Sequence, residues 1–197
     1  MTFVKTYHDF PSAKYEQFNL KEISRYAGGL EDKALILSCI KEIANKLVYK
    51  VCYRKFSLKT NENTLDASFA QITSADLAKT LRNCDGIILF AATVGIEIDR
   101  LIFKYGKISP LKALIFQAIG AERIEWLCDQ FCKDLAKEEK VTPRFSPGYG
   151  DLPLEVQKDI FAALNCGKYI GLTLNDSMLM SPTKSVTAIV GIKNEKE

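Results

Sequence analysis

The segment RFSPGYGDLP, residues 144–153, carries the residue types that suit a binding site for a small polar ligand. Arg144 stands at its head, and a guanidinium can hold a carboxylate through two parallel hydrogen bonds. Gly148 and Gly150 let a ligand approach the backbone closely, and Tyr149 adds a flat ring and a phenol. The segment therefore predicts a loop that binds a small acid carrying a ring. A structured turn whose arginine caps a helix is the alternative.

Three acids are a second candidate group, because they share one face of a predicted long helix. Glu122, Glu125 and Asp129 stand at positions i, i+3 and i+7. They could form a solvated face opposite the apolar stripe of the helix. Alternatively, Glu125 or Asp129 lines a polar cleft and receives an amine or another cation.

Several other kinds of chemistry find no support in the sequence. His8 is the only histidine, so neither a histidine-based triad nor a histidine-rich metal site is expected. No phosphate-binding P-loop occurs, and no GxGxxG motif follows a strand. The six cysteines form no CxxC pair, and we expect reduced thiols in the core. Cys128 and Cys132 lie one helical turn apart, but no further ligands nearby would complete a metal site.

Length and composition limit the class of protein. The chain of 197 residues is long enough for one domain with a core of its own. Its net charge of +3 is too small to indicate nucleic-acid binding. The first residues lack the apolar core of a signal peptide, and the longest apolar run, residues 86–96, is about half a membrane span. We therefore expect a cytoplasmic protein without nucleic-acid or membrane partners.

The elements that would position these side chains predict an α+β fold, a single domain with a twisted antiparallel sheet and long helices. Strands and helices do not alternate regularly, which argues against a doubly wound fold. Residues 1–83 form the N-terminal helical and strand part of the domain, residues 84–192 its core, and residues 193–197 a frayed tail. Helices are predicted at 20–27, 31–48, 75–83, 96–105, 110–140 and 154–164, and strands at 49–58, 86–95 and 170–174. Residues 178–192 are predicted to form two short strands joined through Ser181-Pro182.

Four segments, in this order, resemble the activation domain of cobalamin-dependent methionine synthase. FAATVGIEID resembles the FAxTxGIxxD segment of that family, and IEWLCDQF resembles its long acidic-faced helix. RFSPGYGDLP resembles its RxxxGY loop. GLTLNDSMLMSPTKSVTAIVGI resembles its closing GxxLTxSxxMxPxxSVxG segment. The resemblance covers roughly residues 84–192.

The resemblance implies a ligand and a role for each matching residue. In that family the domain binds S-adenosylmethionine, from which inactive cob(II)alamin is remethylated after reduction by a flavodoxin-type donor. Arg144 would hold the methionine carboxylate, and Glu125 would face the amine. Tyr149 would lie near the corrin. Backbone contacts are implied beside the carboxylate at Ser146 and Gly148, and to the adenine at Val190 and Gly191.

The resemblance also implies a division of labour between proteins. The sequence has no DxHxxG cobalamin motif and no Cys/His zinc site, so it is not a complete methionine synthase. A stand-alone factor would meet cobalamin on a corrinoid-binding protein or a split methionine synthase. It would depend on a flavodoxin- or ferredoxin-type electron donor.

The sequence also departs from the family pattern. Residues 150–152 replace the usual proline and cysteine, and Ile189 and Val190 replace aromatic residues. Two alternatives therefore stay open. One is a non-catalytic module that docks on a corrinoid protein without using S-adenosylmethionine. The other is an unrelated α+β enzyme acting on another small acid.

Overall fold

A four-stranded antiparallel sheet forms the centre of the molecule. The computed structural model describes residues 1–7 and 18–193, so His8 and the predicted tail beyond Lys193 lie outside it. The strand order is β1 (Phe3–Thr6), β2 (Lys50–Ser57), β6 (Cys84–Thr93) and β9 (Ser185–Lys193). The antiparallel α+β prediction is confirmed.

Strand β6 is buried on both faces. Ile88, Phe90 and Ala92 point into one hydrophobic cluster, and the alternate residues Ile87 and Leu89 point into a second. Because successive side chains of a strand point to opposite faces, a continuous apolar run is what a doubly covered strand requires. The predicted central strand, residues 86–95, is therefore found at the middle of the fold, between β2 and β9.

Helices cover one face of this sheet. Asn19 and Asp32 cap the first two helices, since their side chains accept hydrogen bonds from Glu22 N–H at 3.2 Å and Leu35 N–H at 2.9 Å. The second of these helices, Lys33–Ile43, ends earlier than predicted, in a short 3-10 turn, Ala44–Lys46. The helices of this layer are α1 (Leu20–Tyr26), α2 (Lys33–Ile43), α4 (Glu97–Ile108) and α5 (Pro110–Glu138).

Helix α5 is the longest element and passes behind the candidate site. Pro110 begins it, as predicted, because proline is tolerated in the first turn, where its missing N–H has no partner to lose. The apolar stripe predicted in its second half is buried. Among residues 1–7 and 18–193, neither α5 nor any other helix is long and apolar enough to cross a membrane.

Short elements cover the other face of the sheet. A small three-stranded sheet, which the sequence did not predict, packs there with helices that flank the candidate loop. Its strands have three residues each, too few for an alternating pattern to be recognised. The elements are β3 (Lys59–Asn61), β4 (Thr64–Asp66), β5 (Gln71–Thr73), α3 (Ala75–Thr80), α6 (Val156–Leu164), α7 (Cys166–Ile170), β7 (Thr173–Leu174) and β8 (Met180–Ser181).

Candidate functional site

A cavity of about 280 Å³ opens between α5, the 144–149 loop, α6 and the end of the sheet. Its wall combines charged, hydroxyl, amide and aromatic side chains. The lining residues are Glu125, Arg144, Phe145, Ser146, Pro147, Tyr149, Gln157, Met180, Ser185, Val186 and Thr187. Of the predicted site residues, Glu125, Arg144, Ser146 and Tyr149 are therefore brought together at one cavity.

Arg144 is the cation of this cavity, and it bridges two acids of α5. Its Nη1 donates to Asp129 Oδ1 at 2.8 Å, and its Nη2 donates to Glu125 Oε2. The two acids are four residues apart, so they lie on the same helix face. The Arg144 side chain is 25% exposed. The trio carries one positive and two negative charges.

The third acid of the predicted face behaves differently. Glu122 is buried, not solvated, and pairs with the guanidinium of Arg123. Asn19 N–H also donates to its Oε1 at 3.3 Å. A buried carboxylate needs such partners, because its desolvation is otherwise costly. Of the three acids, Glu125 therefore lines the cavity and Asp129 contacts it through Arg144.

Tight backbone turns fix the shape of the loop. Gly148 N–H donates to the Leu152 carbonyl at 2.9 Å, and Tyr149 N–H donates to the Ser146 carbonyl at 3.2 Å. Gly148 has a φ of +87°, a conformation that favours glycine. The predicted backbone contact at Gly148 is therefore not available through its N–H, which the loop itself uses. Tyr149 is left at the mouth of the cavity, 69% exposed.

Asp151 fastens the loop to helix α3. Its carboxylate accepts hydrogen bonds from Ser74 Oγ, from Ala75 N–H at 2.7 Å and from Asp76 N–H at 3.2 Å. These bonds, the one from Ser74 first, hold the pKa of the Asp151 carboxyl below its usual range. Glycine is favoured at position 150, which has a φ of +52° and where a Cβ would lie 2.3 Å from Asp76 Oδ2. The departure from the family pattern at residues 150–152 thus has a structural role.

Residues 90–99, the segment FAATVGIEID, position strand β9, which forms one wall of the cavity. Asp99 accepts hydrogen bonds from Thr183 N–H at 2.9 Å and from Thr183 Oγ1, which hold the turn before β9. Ser185 Oγ donates to Thr93 Oγ1 at 2.9 Å. These residues thus set the position of the cavity wall without lining it, apart from Ser185.

Neither Val190 nor Gly191, the two positions predicted to give backbone contacts to adenine, lines the cavity. Val190 pairs with Ile88 of β6, and its side chain is fully buried in the core. Gly191 N–H donates to Thr142 Oγ1 at 2.8 Å, and its carbonyl accepts from Thr142 N–H at 2.9 Å. Segment 140–145 thus covers this end of the β9 edge, and residues 185–187 border the cavity instead.

Sequence reasoning missed several wall residues. Gln157 lies on the buried face of α6 between Val156 and Ile160, where a polar side chain is unexpected. Ser185 and Thr187 alternate along β9, so both point to the same face. A single polar residue on an apolar helix face, or polar residues at every second strand position, is the signal that could have identified them.

The thiols near the site are poor nucleophiles. Burial raises the pKa of both Cys128 and Cys132, so both stay protonated at neutral pH. All six cysteines are free, and Cys84 and Cys132 are partly exposed. Within the described part of the chain, no group of three or more His, Cys, Asp or Glu side chains could hold a metal ion.

The chain is similar to known proteins in sequence and in fold. Residues 128–197 match the family described as vitamin B12 dependent methionine synthase, activation domain. A crystal structure of the MetH reactivation domain bound to AdoHcy has a similar fold, with a TM-score of 0.72 and 13% sequence identity. The similarity covers 100% of this chain and 80% of that one. No curated protein matches the chain. The resemblance to the activation domain of cobalamin-dependent methionine synthase is thus confirmed, over residues 128–197 in sequence and over the whole chain in fold.

Proposed function

We propose that this protein binds S-adenosylmethionine and presents it for reductive methylation of cob(II)alamin. The cobalamin would be carried by a separate cobalamin-dependent methionine synthase or a related corrinoid methyltransferase. The observation that carries the proposal is the cavity in which Arg144 stands between Glu125 and Asp129. The family match and the fold shared with the AdoHcy-bound MetH domain support it.

The charges of the cavity suit this ligand. S-adenosylmethionine carries a carboxylate, an ammonium and a sulfonium, so its net charge is +1. Arg144 would take the carboxylate, while Glu125 and Asp129 would face the two positive groups. The trio has a net charge of −1, which complements the ligand. The volume of about 280 Å³ is near the lower end of the range for small-molecule sites, which is about 300–1,000 Å³.

The adenosyl group would lie along the wall formed by β9, α6 and the loop. We place it against residues 185–187, since Thr142 and Phe145 already bond to the β9 edge at Gly191 and Ile189. Ser146 would contribute its backbone beside the carboxylate. This arrangement leaves the sulfonium directed to the open mouth at Tyr149.

The contribution of the chain to the reaction is binding and orientation. Holding a methyl donor at a fixed position converts an encounter between two molecules into a reaction within one complex. Cobalamin, on the partner protein, supplies the cobalt chemistry. A flavodoxin- or ferredoxin-type protein would supply the electron, and Tyr149 would lie where the corrin approaches.

One observation favours the second candidate function, a module that docks on a corrinoid protein without using S-adenosylmethionine. Arg144 already donates to Glu125 and Asp129, so a ligand carboxylate must displace one of them or share the guanidinium. If these ion pairs persist, the cavity has no cation available for a carboxylate.

Calorimetric titration of S-adenosylmethionine decides between the two. We expect the wild-type protein to bind it saturably and the Arg144→Ala variant to bind about 10- to 150-fold more weakly. This range corresponds to about 1.5–3 kcal/mol for hydrogen bonds to a charged group. Arg82→Ala, which removes an exposed arginine that follows α3 and does not line the cavity, should bind as the wild type does.

Circular dichroism would show that both variants are folded. Folding should survive the loss of Arg144, because its two acid partners remain largely solvated. A wild-type protein that shows no saturable binding at millimolar ligand would refute the proposal and favour the docking module.

A further inference from the structure

Gln157 presents an unusual group at the cavity wall. The residue is 6% exposed, and its side chain lies on the inner face of α6. Its Oε1 is inaccessible to solvent and has no hydrogen-bond partner among residues 1–7 and 18–193. Gln157 also lines the cavity.

An unpartnered buried acceptor destabilises the protein that contains it. Removing a carbonyl oxygen from water without a replacement hydrogen bond costs free energy, and most buried polar groups in native proteins are therefore paired. A leucine would fit this position better, since Val156, Ile160 and Leu164 on the same helix face are all buried. The amide is thus better explained by a partner that arrives with the ligand.

We propose that Gln157 accepts a hydrogen bond from an uncharged donor on the nucleoside part of the bound ligand. The inference rests on the proposed function only in taking the ligand to be a nucleoside derivative. Such a ligand offers two donors of this class, the exocyclic amine of adenine and the ribose hydroxyls. Both are N–H or O–H groups that a side-chain carbonyl accepts.

The geometry of a glutamine amide permits this contact. Its terminal torsion is broad and two-fold, so the oxygen and the nitrogen can exchange places within the same volume. Rotation can therefore exchange the positions of Oε1 and Nε2 without moving the helix, so that a bound ligand can select the orientation in which Oε1 accepts. In a site that hydrogen-bonds its ligand through a buried polar group, an analogue lacking the donor is rejected strongly.

The first test compares Gln157→Leu with the wild type by calorimetry and thermal unfolding. We expect the variant to bind S-adenosylmethionine and adenosine about tenfold more weakly. Its Tm without ligand should be unchanged or raised, by up to about 2–4 °C, because an unpaired acceptor has been removed. Gln117→Leu, the same change at an exposed position of α5, should alter neither affinity.

A lower affinity for the ligand together with an unchanged or higher Tm would identify Gln157 as a ligand contact. A merely structural glutamine would lower the Tm when replaced. A Gln157→Leu variant with a lowered Tm, or with wild-type affinity for adenosine, would overturn the inference.

The second test identifies the donor with four nucleosides. If the amine is the donor, the wild type should bind inosine about tenfold more weakly than adenosine, and Gln157→Leu should bind both equally. If a hydroxyl is the donor, 2′- or 3′-deoxyadenosine should show that pattern instead. The inference is wrong if the Gln157→Leu variant shows the same differences in affinity among the four nucleosides as the wild type.

Failure of the inference and failure of the proposed function give different results. A wild type that binds adenosine through Gln157 but does not bind S-adenosylmethionine would refute the proposed function alone. A wild type that binds S-adenosylmethionine regardless of Gln157 would refute the inference alone. Binding of neither ligand would refute both.

Discussion

Gly191 illustrates at the residue scale why a position beside the site can look like a binding residue. It lies on β9, where the strand passes close to the side chains of Leu81 and Cys84. A Cβ at this position would lie 2.6 Å from Cys84 Sγ and 2.7 Å from Leu81 Cδ2. Its N–H and its carbonyl oxygen are both hydrogen-bonded to Thr142. Close packing, not approach to a ligand, thus requires glycine here.

Replacing Gly191 with alanine should therefore destabilise the fold. The added methyl would force apart packed side chains, at a cost of about 1–3 kcal/mol in the free energy of unfolding. The matched change Gly106→Ala, in α4, meets no atom within 4 Å and should instead stabilise by about 0.5–1 kcal/mol. Urea denaturation of both variants measures whether each change lowers or raises the free energy of unfolding. Equal effects of the two changes would contradict this account of Gly191.

The loop and helix α3 act as one unit at the element scale. Asp151 and Ser74 cap α3 from two distant segments, and Ser74 Oγ also accepts from Leu77 N–H at 3.0 Å. Phe145 joins the other end of the loop to β9, since it donates to and accepts from Ile189 at 2.8 Å. Both ends of the segment that carries Arg144 and Tyr149 are thus fixed to the scaffold. Such a loop is already shaped before a ligand arrives.

Asp151→Ala should weaken this unit in a pH-dependent manner. The pKa of Asp151 is lowered in the folded protein, so its stabilising effect is present above the unfolded value of about 3.9. It is lost as the pH falls through the lower folded value. The variant should be less stable than the wild type at pH 7, and the difference should shrink below about pH 4. Urea unfolding of both proteins between pH 2.5 and 7 measures this difference in the free energy of unfolding.

The exposed Asp176, in the turn after β7, provides the control for this prediction. Asp176→Ala should leave the stability at pH 7 close to that of the wild type. S-adenosylmethionine should also bind Asp151→Ala more weakly, because the loop would lose one of its two attachments. A stability difference that stays constant down to pH 2.5 would exclude an ionised Asp151 as its source.

At the scale of the whole molecule, the features predicted from sequence are those encoded by local patterns. The apolar run of β6 and the stripe of α5 each repeat over many residues, so their burial could be predicted. Arg144 and Tyr149 were found because their loop has a distinctive composition. Both line the cavity.

The features that were missed depend on contacts between distant segments. Glu122 is buried because Arg123 and the residues before α1 surround it, which no spacing along α5 reveals. The ion pairs of Arg144 join residues 15 and 19 positions apart. The coverage of Gly191 by Thr142 depends on the antiparallel pairing of segment 140–145 with β9. Tertiary structure decides such pairings, and local propensity does not.

Three exposed apolar side chains, which we call the apolar rim, belong to segments at the cavity: Tyr149 lines it, Leu154 lies beside Gly148, and Leu179 precedes the lining residue Met180. Leu179 is 65% exposed at the tip of the β7–β8 hairpin, next to the lining residue Met180. The Asn175 side chain, which accepts from Leu179 N–H at 2.9 Å, keeps this tip ordered. Exposed apolar side chains held on a rigid turn are a common feature of protein interfaces. Under the proposed function, we expect the partner that carries cobalamin to contact this rim.

Leu179→Ser should therefore separate docking from ligand binding. Burying a leucine at an interface is worth about 1.5–3 kcal/mol, so its loss should weaken docking at least about tenfold. The variant should keep wild-type stability and affinity for S-adenosylmethionine, because Leu179 does not line the cavity. Methylation of cob(II)alamin on an isolated cobalamin-binding module of a methionine synthase, with reduced flavodoxin, can be followed by absorbance. The rate at low partner concentration measures docking.

The matched control for this experiment is Phe103→Ser. Phe103 is 72% exposed on α4, in the helical layer, and is equally apolar. The Phe103→Ser variant should methylate cob(II)alamin at the wild-type rate, because Phe103 lies away from the rim and only the loss of rim contacts should slow the reaction. If Phe103→Ser slows methylation as much as Leu179→Ser, the rim is not the docking surface. If Leu179→Ser alone slows it and added partner restores the rate, the hairpin tip belongs to the interface through which S-adenosylmethionine meets cobalt.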